Sequence, residues 1–107
     1  MPVELEVGNR LTIPRIIRRL LEIKENDFLF YYIEDKKIIL SKIESKGYPI
    51  KVRKLYRITF PKAFRELYNI KSKDKFFIEA IDGEIILQRI EDKKEELAYI
   101  SYKILPT

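Results

Sequence analysis

The chain contains neither cysteine nor histidine. Without thiols there is no disulfide framework and no zinc–thiolate site. Without imidazole the commonest general base and metal ligand is missing. Catalysis would fall to a carboxylate dyad or a Lys or Tyr nucleophile, and no carboxylate pair stands apart from turns and charged surface. The expectation is a protein that is not an enzyme and holds no metal or cofactor. No uninterrupted apolar run approaches the length of a membrane span, and the N-terminus lacks a basic-then-apolar signal pattern. A soluble, cytoplasmic protein with no membrane partner is expected.

Charge is what the chain has in quantity. Asp, Glu, Lys and Arg make up 36% of its 107 residues, and the isoelectric point is about 9.4. Lys, Glu and Ile are abundant, a composition common in thermophile proteins. The net charge of +5 is unevenly placed: residues 1–47 hold nine Lys/Arg against eight Asp/Glu, and residues 48–94 hold twelve against seven. A basic balance favours an anionic partner, nucleic acid first and a membrane surface second.

The sequence is organised around Arg57-Ile58-Thr59-Phe60-Pro61-Lys62-Ala63-Phe64-Arg65-Glu66-Leu67. An earlier stretch, Arg10-Leu11-Thr12-Ile13-Pro14-Arg15-Ile16-Ile17-Arg18-Arg19-Leu20, lies 47 residues upstream and aligns with it without a gap. The match continues through Ile23-Lys24 over Ile70-Lys71, Asp27 over Asp74, Asp35 over Asp82, Ile38-Ile39-Leu40 over Ile85-Ile86-Leu87 and Ile43-Glu44 over Ile90-Glu91. This is an internal duplication. Stacked repeat arrays need roughly three or more units to bury a continuous core. Two copies, each of roughly 45 residues and too small to fold alone, point instead to a fused dimer about an approximate twofold axis. The predicted organisation is one domain over 1–107, with a first copy at 1–44, a connector at 45–49, a second copy at 50–91 and a C-terminal extension at 92–107.

Each copy reads ββαββ. Val3, Leu5 and Val7 alternate with Glu4 and Glu6, the period of a half-buried strand. Gly8-Asn9 is a hairpin turn signal, since both residues tolerate positive φ. Arg10 to Ile13 returns as a strand, and Pro14 suits the first turn of a helix. Ile16, Ile17, Leu20 and Leu21 fall at helical spacing, with Arg15, Arg18 and Arg19 on other faces. Phe28 to Ile33 is apolar on both faces, which predicts a central strand covered on both sides, and Lys37 to Ile43 returns beside it. The second copy repeats this with strands around Ile50–Lys54 and Arg57–Phe60, a helix over Pro61–Tyr68, and strands Lys75–Ile81 and Glu84–Ile90. The expected fold is mostly β with two short helices. The hairpins of the two halves interleave into a barrel-like sheet with few free edges. In the extension, Ala98, Ile100, Tyr102 and Ile104 suit a strand, while Leu97, Ile100 and Ile104 equally suit a helix.

The pattern Gly8, Arg10, Ile13-Pro14, Arg18, Leu20, Ile23-Lys24, Asp27 and Ile38 to Leu40 is similar to the AbrB/MazE/SpoVT swapped-hairpin family. The second copy matches at Arg57, Phe60-Pro61, Arg65, Leu67, Ile70-Lys71, Asp74 and Ile85 to Leu87, with Leu55 where the glycine would stand. The resemblance implies hairpins exchanged into a shared barrel, and a transcriptional regulator or antitoxin that binds double-stranded DNA. It implies DNA-facing roles for Arg10, Arg18 and the adjacent Arg19, and for Arg57 and Arg65. Glu66 replaces the second helix arginine in the later copy.

The residues themselves extend this set. The 50–57 hairpin carries Lys51, Arg53, Lys54 and Arg57 without an acid, which suits phosphate tracking or a major groove. Its counterpart carries Glu4 and Glu6, which would face phosphate unfavourably. Arg15, Arg19 and Lys62 sit near helix N-termini that attract anions. Arg18 and Arg65 have two readings, phosphate contact or an ion pair with Asp27 or Asp74 that anchors helix to turn. Phe28, Phe30, Tyr31, Tyr32, Phe76 and Phe77 read as core or dimer interface. The apolar extension leaves a second function open: self-association or a protein partner, such as a toxin, held through residues 92–107.

Overall fold

The computed structural model describes residues 1–90. They form β1 (Pro2–Glu4), β2 (Arg10–Thr12), α1 (Arg15–Leu20), β3 (Phe28–Glu34), β4 (Lys37–Ser41), β5 (Tyr48–Lys51), β6 (Arg57–Thr59), α2 (Lys62–Leu67), β7 (Lys75–Ile81) and β8 (Glu84–Ile90). The fold is mostly β with two short helices. The extension at 92–107 lies outside the described residues.

All strands pair antiparallel. Six make one sheet in the order β1-β7-β8-β4-β3-β5, and β2 with β6 makes a separate two-stranded ribbon. The order is a palindrome under the 47-residue shift, because β1, β3 and β4 correspond to β5, β7 and β8. Hairpin segments cross between halves: β1 pairs with β7 of the second half, and β5 pairs with β3 of the first. Two pairs join a residue to its own counterpart, Leu11 with Ile58 in the ribbon and Ile39 with Ile86 between β4 and β8.

The sheet does not close into the barrel expected from sequence. Its edges are β1 and β5, of three and four residues. Beyond them the chain leaves the sheet, and single bridges Glu6–Arg10 and Arg53–Arg57 lead it into the ribbon. Pro2 and Pro49 lie on these edge strands, where a residue without an N–H is tolerated.

The core lies between the ribbon, one face of the sheet and the helices. Leu5, Leu11, Ile13, Val52, Ile58, Phe60, Ile85 and Leu87 are completely buried. Alternation along β7 and β8 sends Phe76, Ile78, Ile85 and Leu87 inward, as the period of a strand requires. The edge-to-face contact of Tyr31 with Phe64 (centroids 5.0 Å apart) seats α2 on β3, and Phe60 and Tyr68 flank it.

Three local expectations change. The β3 strand is covered on one face rather than two: Leu29 and Tyr31 are buried, Phe30 and Tyr32 are half-buried, and Phe28 is exposed. Each helix spans six residues and buries one side chain, Ile17 or Phe64. Ile16 and Leu20, read as apolar helix-face residues, stand in solvent at 64% and 67% exposure. The first strand stops at Glu4, and Val7 is exposed at the hairpin tip.

Backbone geometry sets the two hairpin turns apart. Gly8 and Asn9 take φ of 86° and 59°, the left-handed turn their residue types predict. In the second half Leu55 and Tyr56 adopt the same region, at 63° and 58°, without a glycine. Gly47 has a different reason to be glycine. A Cβ there would lie 2.2 Å from the Tyr31 carbonyl oxygen, so β5 could not approach β3 with a larger residue.

Candidate nucleic-acid interface

The antiparallel ribbon decides which hairpin meets which helix. Thr12 lies opposite Arg57, so the turn before Arg57 and the helix after Thr12 share one end of the ribbon. Arg10 lies opposite Thr59, which puts the first turn beside α2 at the other end. The second hairpin is fastened to the first half by backbone bonds. Val52 N–H donates to the Asp27 carbonyl (2.8 Å), Asn26 N–H to the Val52 carbonyl (2.7 Å) and Ile13 N–H to the Tyr56 carbonyl (2.9 Å). Leu55 N–H also donates to the Glu25 carboxylate.

This exchange builds an open cleft of about 600 Å³, lined by Arg15, Arg18, Arg19, Glu22, Ile23, Lys24, Lys42 and Tyr56. Five cations face one carboxylate. The Arg18 guanidinium lies 3.8 Å from the centroid of the Tyr56 ring. Lys42 Nζ is held by the Leu21 carbonyl at 3.0 Å. Among the described residues no ion pair engages Arg15, Arg18, Arg19 or Lys24. Of the two readings the sequence left for Arg18, the ion pair with Asp27 is not formed: Arg18 lies over Tyr56, and Asp27 accepts from Lys24 N–H at 2.8 Å.

The corresponding surface at the other end is lined by Lys62, Arg65, Glu66, Asn69, Ile70 and Lys71. There Lys62, Arg65 and the nearby Arg89 have partners, while the Lys71 ammonium has none among the described residues. Lys62 lies 3.9 Å from Glu66, and Arg65 Nε donates to the Phe60 carbonyl at 2.9 Å. Arg89, the counterpart of Lys42, pairs with Asp74 at 3.0 Å and donates to the Asn69 carbonyl at 2.8 Å. The Asp74 partner is therefore Arg89 rather than Arg65.

On the ribbon, Arg10 is exposed and Arg57 is half-buried. The second hairpin has no acid of its own, but the first supplies one: Glu6 Oε2 lies 3.6 Å from Arg57 Nε, and Glu6 Oε1 accepts from the Thr12 hydroxyl at 2.9 Å. Arg57 Nε is buried without a hydrogen bond, so Glu6 gives it charge only. Arg53 and Lys54 are exposed at the turn, and Lys51 is half-buried with its Nζ 6.0 Å from the Phe28 ring centroid. With helices of six residues, any anion attraction here rests on side chains more than on a helix terminus.

Of the ten positions picked from sequence, the fold gathers Arg15, Arg18 and Arg19 into one cleft with Arg53 and Lys54 on the adjoining turn, and leaves Lys62 and Arg65 at the opposite end. Sequence reasoning missed Lys24, Lys42 and Tyr56. The recurrence of a cation at Lys42 and Arg89, after Ile-Ile-Leu in both halves, was the available signal. Among the described residues no group of three or more Asp or Glu side chains could hold a metal. No described helix is long and apolar enough to cross a membrane.

Residues 50–95 match the family model described as antidote-toxin recognition MazE, bacterial antitoxin. The second half of the chain is thus similar to an AbrB/MazE-like family domain over residues 50–95. Among solved structures, the chain is similar in fold to the one titled "The solution structure of PHS018 from pyrococcus horikoshii", with a TM-score of 0.52 and 18% identity. That similarity covers 87% of this chain and 92% of the other. A sequence search of curated proteins finds no match.

Proposed function

We propose that the protein is an AbrB-like transcriptional regulator that binds duplex DNA, built as an intrachain pseudo-dimer whose two halves exchange hairpins. The palindromic strand order and the self-paired Leu11–Ile58 and Ile39–Ile86 positions support the pseudo-dimer. The observation that carries DNA binding is the cleft of Arg15, Arg18, Arg19, Lys24 and Lys42, continued by Arg53 and Lys54 on the adjacent turn. Arg10, Lys51 and Arg57 extend the basic surface across the ribbon. Phosphate neutralisation supplies most of the affinity in this reading, and hairpin side chains supply any base preference.

A salt titration of binding to duplex DNA tests it. With about five phosphate contacts, log K falls against log salt with a slope of about −4.5. Absence of binding at low salt rejects the reading.

A second reading draws on the antitoxin description of the matched family and on the apolar residues Leu97, Ile100 and Ile104. Residues 92–107 would then hold a toxin or a second copy. Deleting residues 95–107 and measuring the mass in solution separates the options: a fall in mass supports self-association, and an unchanged mass with lower stability assigns the segment to packing.

A further inference from the structure

We infer that this chain engages DNA with one end only, so that a single chain occupies one asymmetric half-site rather than a palindrome. The inference rests on the DNA-binding reading above and concerns which surface does the binding. In a true twofold pair the two hairpin–helix ends would be identical. Here the backbone keeps the relation and the side chains break it.

Four substitutions between counterparts favour the α1 end, three of them in the hairpin, while Glu22 over Asn69, Glu25 over Ser72 and Asn26 over Lys73 run the other way. Lys51, Arg53 and Lys54 stand where the first hairpin has Glu4, Glu6 and Val7, and Arg19 stands where α2 has Glu66. Hairpin exchange then adds the changes together. The richer hairpin, from the second half, meets the richer helix, from the first, because antiparallel pairing of β2 with β6 puts them at the same end. Without exchange, each end would receive one basic and one mixed element.

Internal neutralisation widens the contrast. At the α2 end, Glu66 lies against Lys62 (3.9 Å) and Asp74 holds Arg89 (3.0 Å). At the α1 end, Arg19 replaces that glutamate and Lys42 bonds to main-chain carbonyls, leaving Asp27 to cap the Lys24 turn. A phosphate arriving at the α1 end meets Arg15, Arg18 and Arg19, which no ion pair engages among the described residues, with Glu22 as the one carboxylate lining the cleft. At the α2 end Lys62 and Arg89 already have Glu66 and Asp74 as partners. The exposed Lys62–Glu66 pair is weak, so what disfavours phosphate there is the nearby negative charge, not the strength of that pair.

Two double variants of the full chain, equal in the charge they remove, provide the test: Arg15→Ala with Arg19→Ala, and Lys62→Ala with Lys71→Ala. All four side chains are exposed, so neither variant opens the core. Binding is measured to a random-sequence duplex across a salt series. The first variant is expected to lose about tenfold or more in affinity and to flatten the log–log slope by about 1.8. The second is expected to lose less than about threefold, through the shared long-range field alone. Equal losses would overturn one-ended binding while leaving DNA binding intact. If the unaltered chain binds no duplex at low salt, DNA binding itself falls, and this inference falls with it.

Discussion

Arg18 and Tyr56 come from opposite halves of the chain, yet the Arg18 guanidinium lies 3.8 Å from the centre of the Tyr56 ring. The contact ties the first helix to the second hairpin and holds a cation at the mouth of the basic cleft. A partly exposed cation–π contact contributes about 0.5–1 kcal/mol. A double-mutant cycle with Arg18→Met and Tyr56→Leu, read from urea unfolding, should give a coupling of that size. Additive losses would mean that the two side chains are neighbours without interaction.

Glu6 restrains Arg57 at 3.6 Å. Both side chains are partly exposed, so Glu6→Gln should change stability by less than about 1 kcal/mol. Its effect on binding has the opposite sign from a typical site mutation. Removing the carboxylate leaves Arg57 free to meet phosphate, and duplex affinity should rise severalfold, with the salt slope steeper by about 0.9. A drop in affinity would show that Glu6 positions Arg57 for DNA instead of competing for it.

Leu55 holds a left-handed backbone at φ 63°, in the place where the first hairpin has Gly8. An L-residue there costs roughly 1–2 kcal/mol, and glycine returns part of that gain through its unfolded-state entropy. Leu55 is 56% exposed, so little packing is lost. Leu55→Gly should therefore stabilise the protein by about 0.5–1 kcal/mol in chemical denaturation. Destabilisation would mean that the Leu55 side chain packs better in solution than its exposure implies.

Tyr32 donates its hydroxyl to Glu84 at 3.0 Å. Burial, that hydrogen bond and the charges of Glu84 and Glu34 all raise its pKa above the ordinary 10.0. Burial and then Tyr48 raise Tyr31 in the same direction. The folded state thus favours the neutral phenol. Its contribution is fully present below pH 10.0 and is lost as pH climbs through the raised value, because the unfolded chain ionises first. Unfolding free energy should fall more steeply above pH 10 in the parent than in Tyr32→Phe, and identical slopes would exclude this linkage.

Much of this architecture was legible in the sequence. The order of strands and helix in each half, the proline that starts each helix and the 47-residue recurrence are local or periodic features. Gly8-Asn9 predicts its own turn for the same reason. The coverage of β3 was misjudged because a continuous apolar run does not reveal how many layers will pack on it. Ile16 and Leu20 were misjudged because a six-residue helix presents only about one turn to the core.

By itself, the sequence determined the repeated order of strands and helices and the excess of cations in the second hairpin and the first helix, since both are written position by position. Only the tertiary structure decided that those two elements share an end, that Glu6 reaches Arg57, and that Asp74 goes to Arg89 rather than Arg65. Each of these depends on which strand of one half lies beside which strand of the other. Hydrophobic burial and antiparallel pairing set that across the whole fold, and no single stretch of the chain encodes it.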